Sequence, residues 1–214
     1  MALPGTRWRG RFRHPDRVGP AGRVVAVDLD TRFLEELPEK NLDVERRDVV
    51  ADGLPGDAYD LVHARLLLMH LPTREKFVGE MAAALRPGGW LLVEDLDTYP
   101  LLALAEGAYG AMMGKAIEGF HAANVAATFG RQIPALFDAA GLEEVEVACQ
   151  VMTYRGGSAA AQMILASMDQ IRALLLAVGA TEDQFEDMRY ELSDPAKWFT
   201  GFALYSVRGR TPSA

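Results

Sequence analysis

Val24-Val25-Ala26-Val27-Asp28, Tyr59-Asp60-Leu61-Val62-His63 and Trp90-Leu91-Leu92-Val93-Glu94-Asp95 share one rhythm within residues 23–97. Each is a short apolar run that meets an acid or a polar turn, and helical stretches separate the runs. Short β-branched runs alternating with helices argue for an α/β fold with a parallel sheet covered on both faces. Such sheets bind small ligands at the carboxyl ends of their strands. Asp28 and the pair Glu94-Asp95 are expected at ends of that kind.

A chain of 214 residues, half of them hydrophobic, can build one good-sized α/β domain with a real core. No apolar run approaches the ~20 residues of a membrane span, and the start lacks the apolar stretch of a signal peptide. The single cysteine, Cys149, forbids an intrachain disulfide framework and fits a reducing cytoplasm. It sits in the apolar-alternating run 145–151 and reads as a strand residue rather than a nucleophile. The formal net charge of −8 argues against a general nucleic-acid binder. That charge is unevenly spread: residues 1–23 hold Arg7, Arg9, Arg11, Arg13, Arg17 and Arg23 against Asp16 alone. A basic arm on an acidic body can mark a nucleic-acid tail, or it can be an irregular segment outside the fold.

Residues 1–23 show neither helical nor strand period, and glycines and prolines break them up; 1–15 read as an irregular arginine-rich segment. The pattern predicts strands over 23–28, 42–47, 59–64, from Trp90, over 143–154 and over 198–208. Thr31 is expected to cap a short helix reaching Glu36. Thr73 is expected to cap a helix that buries Phe77, Met81 and Leu85, spaced by four. Pro87-Gly88-Gly89 should stop that helix and turn the chain into the next strand. Further helices are expected within 99–128, over 133–140, over 159–178 and over 181–192.

Four pieces carry a resemblance: Gly22-Arg23-Val24-Val25-Ala26-Val27-Asp28-Leu29-Asp30, Arg47-Asp48-Val49, residues 59–65, and Leu85-Arg86-Pro87-Gly88-Gly89 running on to Glu94. Together they resemble the class I S-adenosylmethionine-dependent methyltransferases, over roughly residues 16–210. Gly130-Arg131-Gln132-Ile133-Pro134, ahead of an Ala-Gly-Leu turn, resembles the small-molecule branch of that family. The resemblance implies a Rossmann-like sheet, mostly parallel, whose last strand runs antiparallel, with helices on both faces. It implies a single domain over 16–214, in which 99–128 and 158–192 are the acceptor-side helical segments. It also implies S-adenosylmethionine as cofactor and a small-molecule methyl acceptor, with oligomerisation left open and neither membrane nor nucleic acid as partner.

By the same resemblance Asp28 would accept hydrogen bonds from both ribose hydroxyls, a task that suits an ionised carboxylate. Leu29 would lie under the adenine. Asp48 would accept from the adenine amino group, and the Val49 amide would donate to the ring. Ala64 and Arg65 would line the methionine end of the cofactor. Plainer readings stand beside these: Asp28 as an acid on an exposed strand end, Asp48 as a turn-former, Arg65 as a surface partner for an acid. His63 reads as a core residue. His70 and His121 are candidate bases, although methyl transfer to a reactive nucleophile depends mainly on alignment. No catalytic residue is assigned. Glu94, Asp95 and Asp97 could suggest a metal, but adjacent strand residues point to opposite faces, and no Cys/His cluster has zinc spacing. No metal is expected. Tyr109, Met112 and Met113 read first as core of a lid helix and second as acceptor pocket.

One departure stands out. The family's first strand and glycine-rich loop should precede Val24, yet residues 3–15 contain no strand run and no Gly-x-Gly-like turn. Those glycines let the backbone approach the cofactor. Without the strand, six strands are expected rather than seven, with a gap about one 4.8 Å strand spacing wide in mid-sheet. Unpaired buried polar groups there would cost ~1–3 kcal/mol each. The expectation is therefore a truncated or frame-shifted methyltransferase whose normal chain begins further upstream. The alternative is a non-catalytic remnant without a complete cofactor site. A nicotinamide-dependent dehydrogenase shares the acid after the second strand, but it lacks its glycine fingerprint too.

Overall fold

A computed structural model describes residues 18–37 and 40–213. The irregular arginine-rich segment over 1–15 and the place of the absent glycine loop lie outside the described residues. The chain divides into two compact units, one reaching to Leu54 and one from Pro55 onward.

In the first unit, β1 (Val24–Asp28) runs parallel to β2 (Leu42–Arg46), with Asp28 opposite Arg46. Arg47 donates its amide to the Asp28 carbonyl, so the ladder continues past β2. A one-turn helix, α1 (Val49–Asp52), follows. The helix expected over 31–36 is instead a run of turns. The Thr31 carbonyl accepts from the amides of Leu34 and Glu35, and its hydroxyl donates to Glu35. The stretch is too short to repay helix nucleation by itself.

The second unit is built on a four-stranded sheet in the order β3-β4-β6-β5. β3 (Tyr59–Arg65) and β4 (Leu85–Asp97) run parallel, while β6 (Trp198–Arg210) lies between β4 and β5 (Glu143–Arg155) and runs antiparallel to both. The sheet is thus mixed, and its late strand is antiparallel as expected. Six strands are present among the described residues.

α2 (Arg74–Ala83) buries Phe77 and Met81 as the spacing predicts. Thr73 makes no side-chain cap, although its carbonyl accepts the Phe77 amide. The helix ends before the Pro-Gly-Gly turn, because Leu85 already belongs to β4 and pairs with Tyr59. Residues 86–89 form an irregularity in that ladder, where Gly88 takes a φ of 75°. β4 then alternates strictly: Leu91, Val93, Asp95 and Asp97 are buried and their neighbours half-buried. This strand continues to Asp97, two residues beyond the expected end at Glu94-Asp95.

The segment 99–128 forms α3 (Tyr99–Leu104) and α4 (Gly107–Ala122). α5 (Ile133–Ala139) closes with a Schellman-type stop at Gly141, where the amides of Gly141 and Leu142 reach the carbonyls of Asp138 and Phe137. The single helix expected over 159–178 is two helices, α6 (Ala159–Gln170) and α7 (Arg172–Ala177), broken at Ile171. α8 (Glu182–Ser193) opens on a capping box between Thr181 and Gln184. α3, α4, α6, α7 and α8 share one apolar cluster with Tyr154 of β5 and Phe199 of β6. Tyr109, Met112 and Met113 lie inside it, so they are core. Tyr154 donates its hydroxyl to that of Tyr109 at 2.9 Å, and Tyr109 donates to the Thr200 carbonyl at 3.1 Å. Burial pushes both phenols above their ordinary pKa.

Candidate functional site

The first unit gathers four of the predicted cofactor residues at the carboxyl end of its ladder. Asp28 ends β1 with an exposed side chain whose Oδ1 accepts the Asp30 amide at 3.0 Å. Leu29 follows it and is 50% exposed. Asp48 lies two residues past β2 and caps α1, its Oδ1 accepting from Val50 and Ala51 at 3.0 and 3.2 Å. Val49 is the first residue of α1. The turn-former reading of Asp48 thus describes what its Oδ1 does.

The second unit holds Ala64 and Arg65 at the carboxyl end of β3. Alternation sends them to opposite faces. Ala64 is buried, opposite Val93, while Arg65 lies 3.8 Å from Glu94. His63 shares that face and meets Glu94 Oε2 at 3.1 Å. The expected core histidine is therefore half-buried in a polar trio, because Glu94 supplies it a partner. Immediately after Arg65, Leu66 takes a φ of 52°. This is costly for a bulky side chain, and such strain clusters at functional turns.

The acids on the other face of β4 organise the neighbouring loops. Asp95 is fully buried and accepts from the Met69 amide at 3.0 Å and its neighbour Leu96 at 2.9 Å. Burial raises its carboxyl to about 6, against these hydrogen bonds, which pull the other way. The Met69 carbonyl in turn accepts the Ala126 amide, and the Ala127 carbonyl accepts Thr98. The loop after β3 is thereby tied to the end of the 99–128 segment. Asp97, also buried, makes a two-pronged ion pair with Arg131, whose guanidinium lies 4.8 Å from the Tyr99 ring centre. Gly130 permits this approach, since a Cβ there would stand 2.9 Å from Tyr205 and 3.0 Å from two β4 carbonyls. Beside the pair opens a cleft of about 250 Å³ whose walls include Tyr99, Arg131, Cys149, Val151 and Tyr205. In the sequence Arg131 stands out only as part of the Gly130–Pro134 motif. The period-two alternation of Asp95 and Asp97 was the signal that they share a face.

His70 ends the 3₁₀ turn Leu68–His70, and burial lowers its pKa. His121 is exposed near the end of α4. Among the described residues no group of three or more His, Cys, Asp or Glu is placed to hold a metal ion, and no helix is long and apolar enough to cross a membrane.

A family model described as a methyltransferase domain matches residues 10–93. Methyltransferase str3 from Strobilurus tenacellus is 34% identical over 79 residues, a match that covers 36% of this chain and 28% of that protein. Among solved structures, the Bacillus halodurans protein BH2331 superposes with a TM-score of 0.55 at 16% identity, covering 89% of this chain and 84% of that one. Phosphoethanolamine N-methyltransferase 2 of Haemonchus contortus gives a TM-score of 0.54 at 15% identity, covering 89% of this chain and 44% of that one. At such identity the structural likeness speaks for the fold alone. This chain is thus similar to methyltransferases in sequence over residues 10–93 and shares the fold of those solved structures over most of its length.

Proposed function

We propose that this chain transfers a methyl group from S-adenosylmethionine to a small-molecule acceptor. The observation that carries the reading is the sheet order, in which an antiparallel β6 separates β4 from β5 while β3 and β4 stay parallel. A dinucleotide-binding sheet would continue in parallel. The acid ending β1 supports it. Its exposed carboxylate, with a half-exposed leucine next in the chain, has the chemistry to receive a ribose and the apolar face of a base.

The cofactor, when bound, supplies an electrophilic methyl on a good leaving group. In this reading Asp28 accepts from the ribose hydroxyls and Leu29 lies under the adenine. Asp48 accepts from the adenine amino group, and the Val49 amide donates to the ring. Ala64 and Arg65 line the methionine end, where Glu94 restrains Arg65. No general base is assigned. The segments 99–128 and 158–192 choose the acceptor, and the Asp95–Met69–Ala126 hydrogen bonds connect the first of them to the loop after β3. The cytoplasm is the proposed compartment, on the strength of the single cysteine.

A second reading, a methyltransferase fold without a usable cofactor site, draws on the absence of a glycine-rich turn in the sequence ahead of Val24. Calorimetric titration with S-adenosylhomocysteine separates the two. Micromolar binding that Asp28→Ala abolishes while leaving the melt unchanged is the expected result. A cooperatively folded chain that binds nothing would replace the enzyme reading with the second one.

A further inference from the structure

The cleft beside Asp97 and Arg131 lies wholly in the second unit, and none of its residues is assigned to the cofactor. Its walls are mostly apolar: Val151 of β5, Ala203 of β6, and the rings of Tyr99 and Tyr205. Asp97 and Arg131 are the charged groups among them. A guanidinium carries five N–H donors along two edges, each of which fits a carboxylate. Arg131 gives one edge, Nε and Nη2, to Asp97. The other edge, Nη1 with the second Nη2 hydrogen, has no protein partner among the described residues, and the side chain is 43% exposed. The ion pair and the Tyr99 ring hold that edge in place before anything binds. Asp97 does not turn an anion away, because its carboxylate is spent on Arg131 and on the Tyr99 amide at 2.8 Å.

We propose that this cleft binds a small aromatic carboxylate, its ring against Val151, Ala203 and Tyr205 and its carboxylate on the free edge of Arg131. One cationic fork set in an apolar cleft is complementary to a carboxylate carried on an apolar body. The volume fixes the size of that body. An apolar cavity of ~150 Å³ takes one benzene ring, so the cleft of about 250 Å³ takes a ring together with its carboxylate. The two phenol rings in the walls favour an aromatic body, since offset and edge-on ring contacts add to the area buried.

Cys149, the only cysteine in the chain, is exposed and lines the same cleft, so it reports occupancy. The space does not hold a ligand ring and the ring of a thiol reagent together. Benzoate should therefore slow, severalfold and saturably, the reaction of the full chain with uncharged dithiodipyridine, in which the Cys149 thiolate attacks the reagent's disulfide and releases thiopyridone. Benzamide has the shape without the charge and acetate the charge without the ring, and both should protect far less at equal concentration. Arg131→Lys keeps a cation on Asp97 but loses the fork, and should raise the benzoate concentration for half-protection about tenfold. Val151→Phe leaves the ion pair intact and fills the place of the ring, so benzoate should no longer change its rate. A parent chain whose rate benzoate leaves unaltered overturns the proposal. So does equal protection by benzamide or by acetate, or protection that survives Val151→Phe. The three ligands on the parent chain decide the matter even where a variant does not fold. The assay contains no cofactor, so a failure here leaves the methyltransferase reading to its own calorimetric test.

Discussion

The two units of this chain differ in how much they bury. Up to Leu54 the described residues bury only Ala26 and Thr31, on a ladder of two strands. From Pro55 onward the chain fully encloses Phe137, Leu175, Met112 and Val207 around four strands and most of the helices. Two strands alone are marginal in water. The residues proposed for ribose and adenine thus stand on the thinner scaffold, and the helices proposed to choose the acceptor on the thicker one. Binding surfaces are commonly drawn from the less stable parts of a protein.

The contrast can be broken first at Phe137, which is fully buried and lies beneath Gly209 of β6. Phe137→Ala should cost about 3–5 kcal/mol in urea denaturation, from lost transfer energy and the cavity left behind. A cost under about 1 kcal/mol would mean that the second unit is not the tightly packed one. Asp95 comes next. Its folded carboxyl sits at about 6, above its ordinary 3.8, so the fold favours the protonated form. Its contribution is full below pH 3.8 and is lost as pH rises through 6, on the order of 3 kcal/mol in all. Asp95→Asn cannot ionise, so its stability relative to the parent should improve between pH 4 and pH 7. A difference that stays flat across that window would show that Asp95 is not held protonated by its surroundings.

Smaller effects sharpen the picture. Thr181→Ala removes one half of the α8 capping box and should cost about 1 kcal/mol; a change below a few tenths would mean that α8 is held by its packing alone. In the first unit, Leu29→Ala trims a half-exposed side chain and should move stability by no more than about 0.5 kcal/mol. A loss as large as that at Phe137 would show that Leu29 belongs to a core and erase the contrast. The same substitution should weaken S-adenosylhomocysteine binding in the calorimeter if Leu29 meets the base.

Much of this was legible from local signals. Short apolar and alternating runs gave five strands almost to the residue, and the Gly141 stop is written in turn chemistry, whereas the side-chain cap expected of Thr73 is not made. The errors fell where context outweighs propensity. Turns replaced the helix at 31–36 because few residues were available to propagate it. Ile171 interrupted what looked like one long helix. His63 left the expected core because Glu94 faces it from the next strand, a pairing that depends on register between distant segments.

By itself, then, the sequence determined the alternation of strand and helix and the acids at the ends of β1 and β2, since each rests on neighbours in the chain; the antiparallel direction of the last strand came from family resemblance, not from any local pattern. The tertiary structure alone decided that Asp95 and Asp97 are buried and satisfied by Met69 and Arg131. It also decided that Glu94 gathers His63 and Arg65, and that among the described residues β5 ends the four-stranded sheet. Those outcomes depend on which strand lies beside which, and side-chain desolvation and pairing follow from that adjacency rather than from any local pattern.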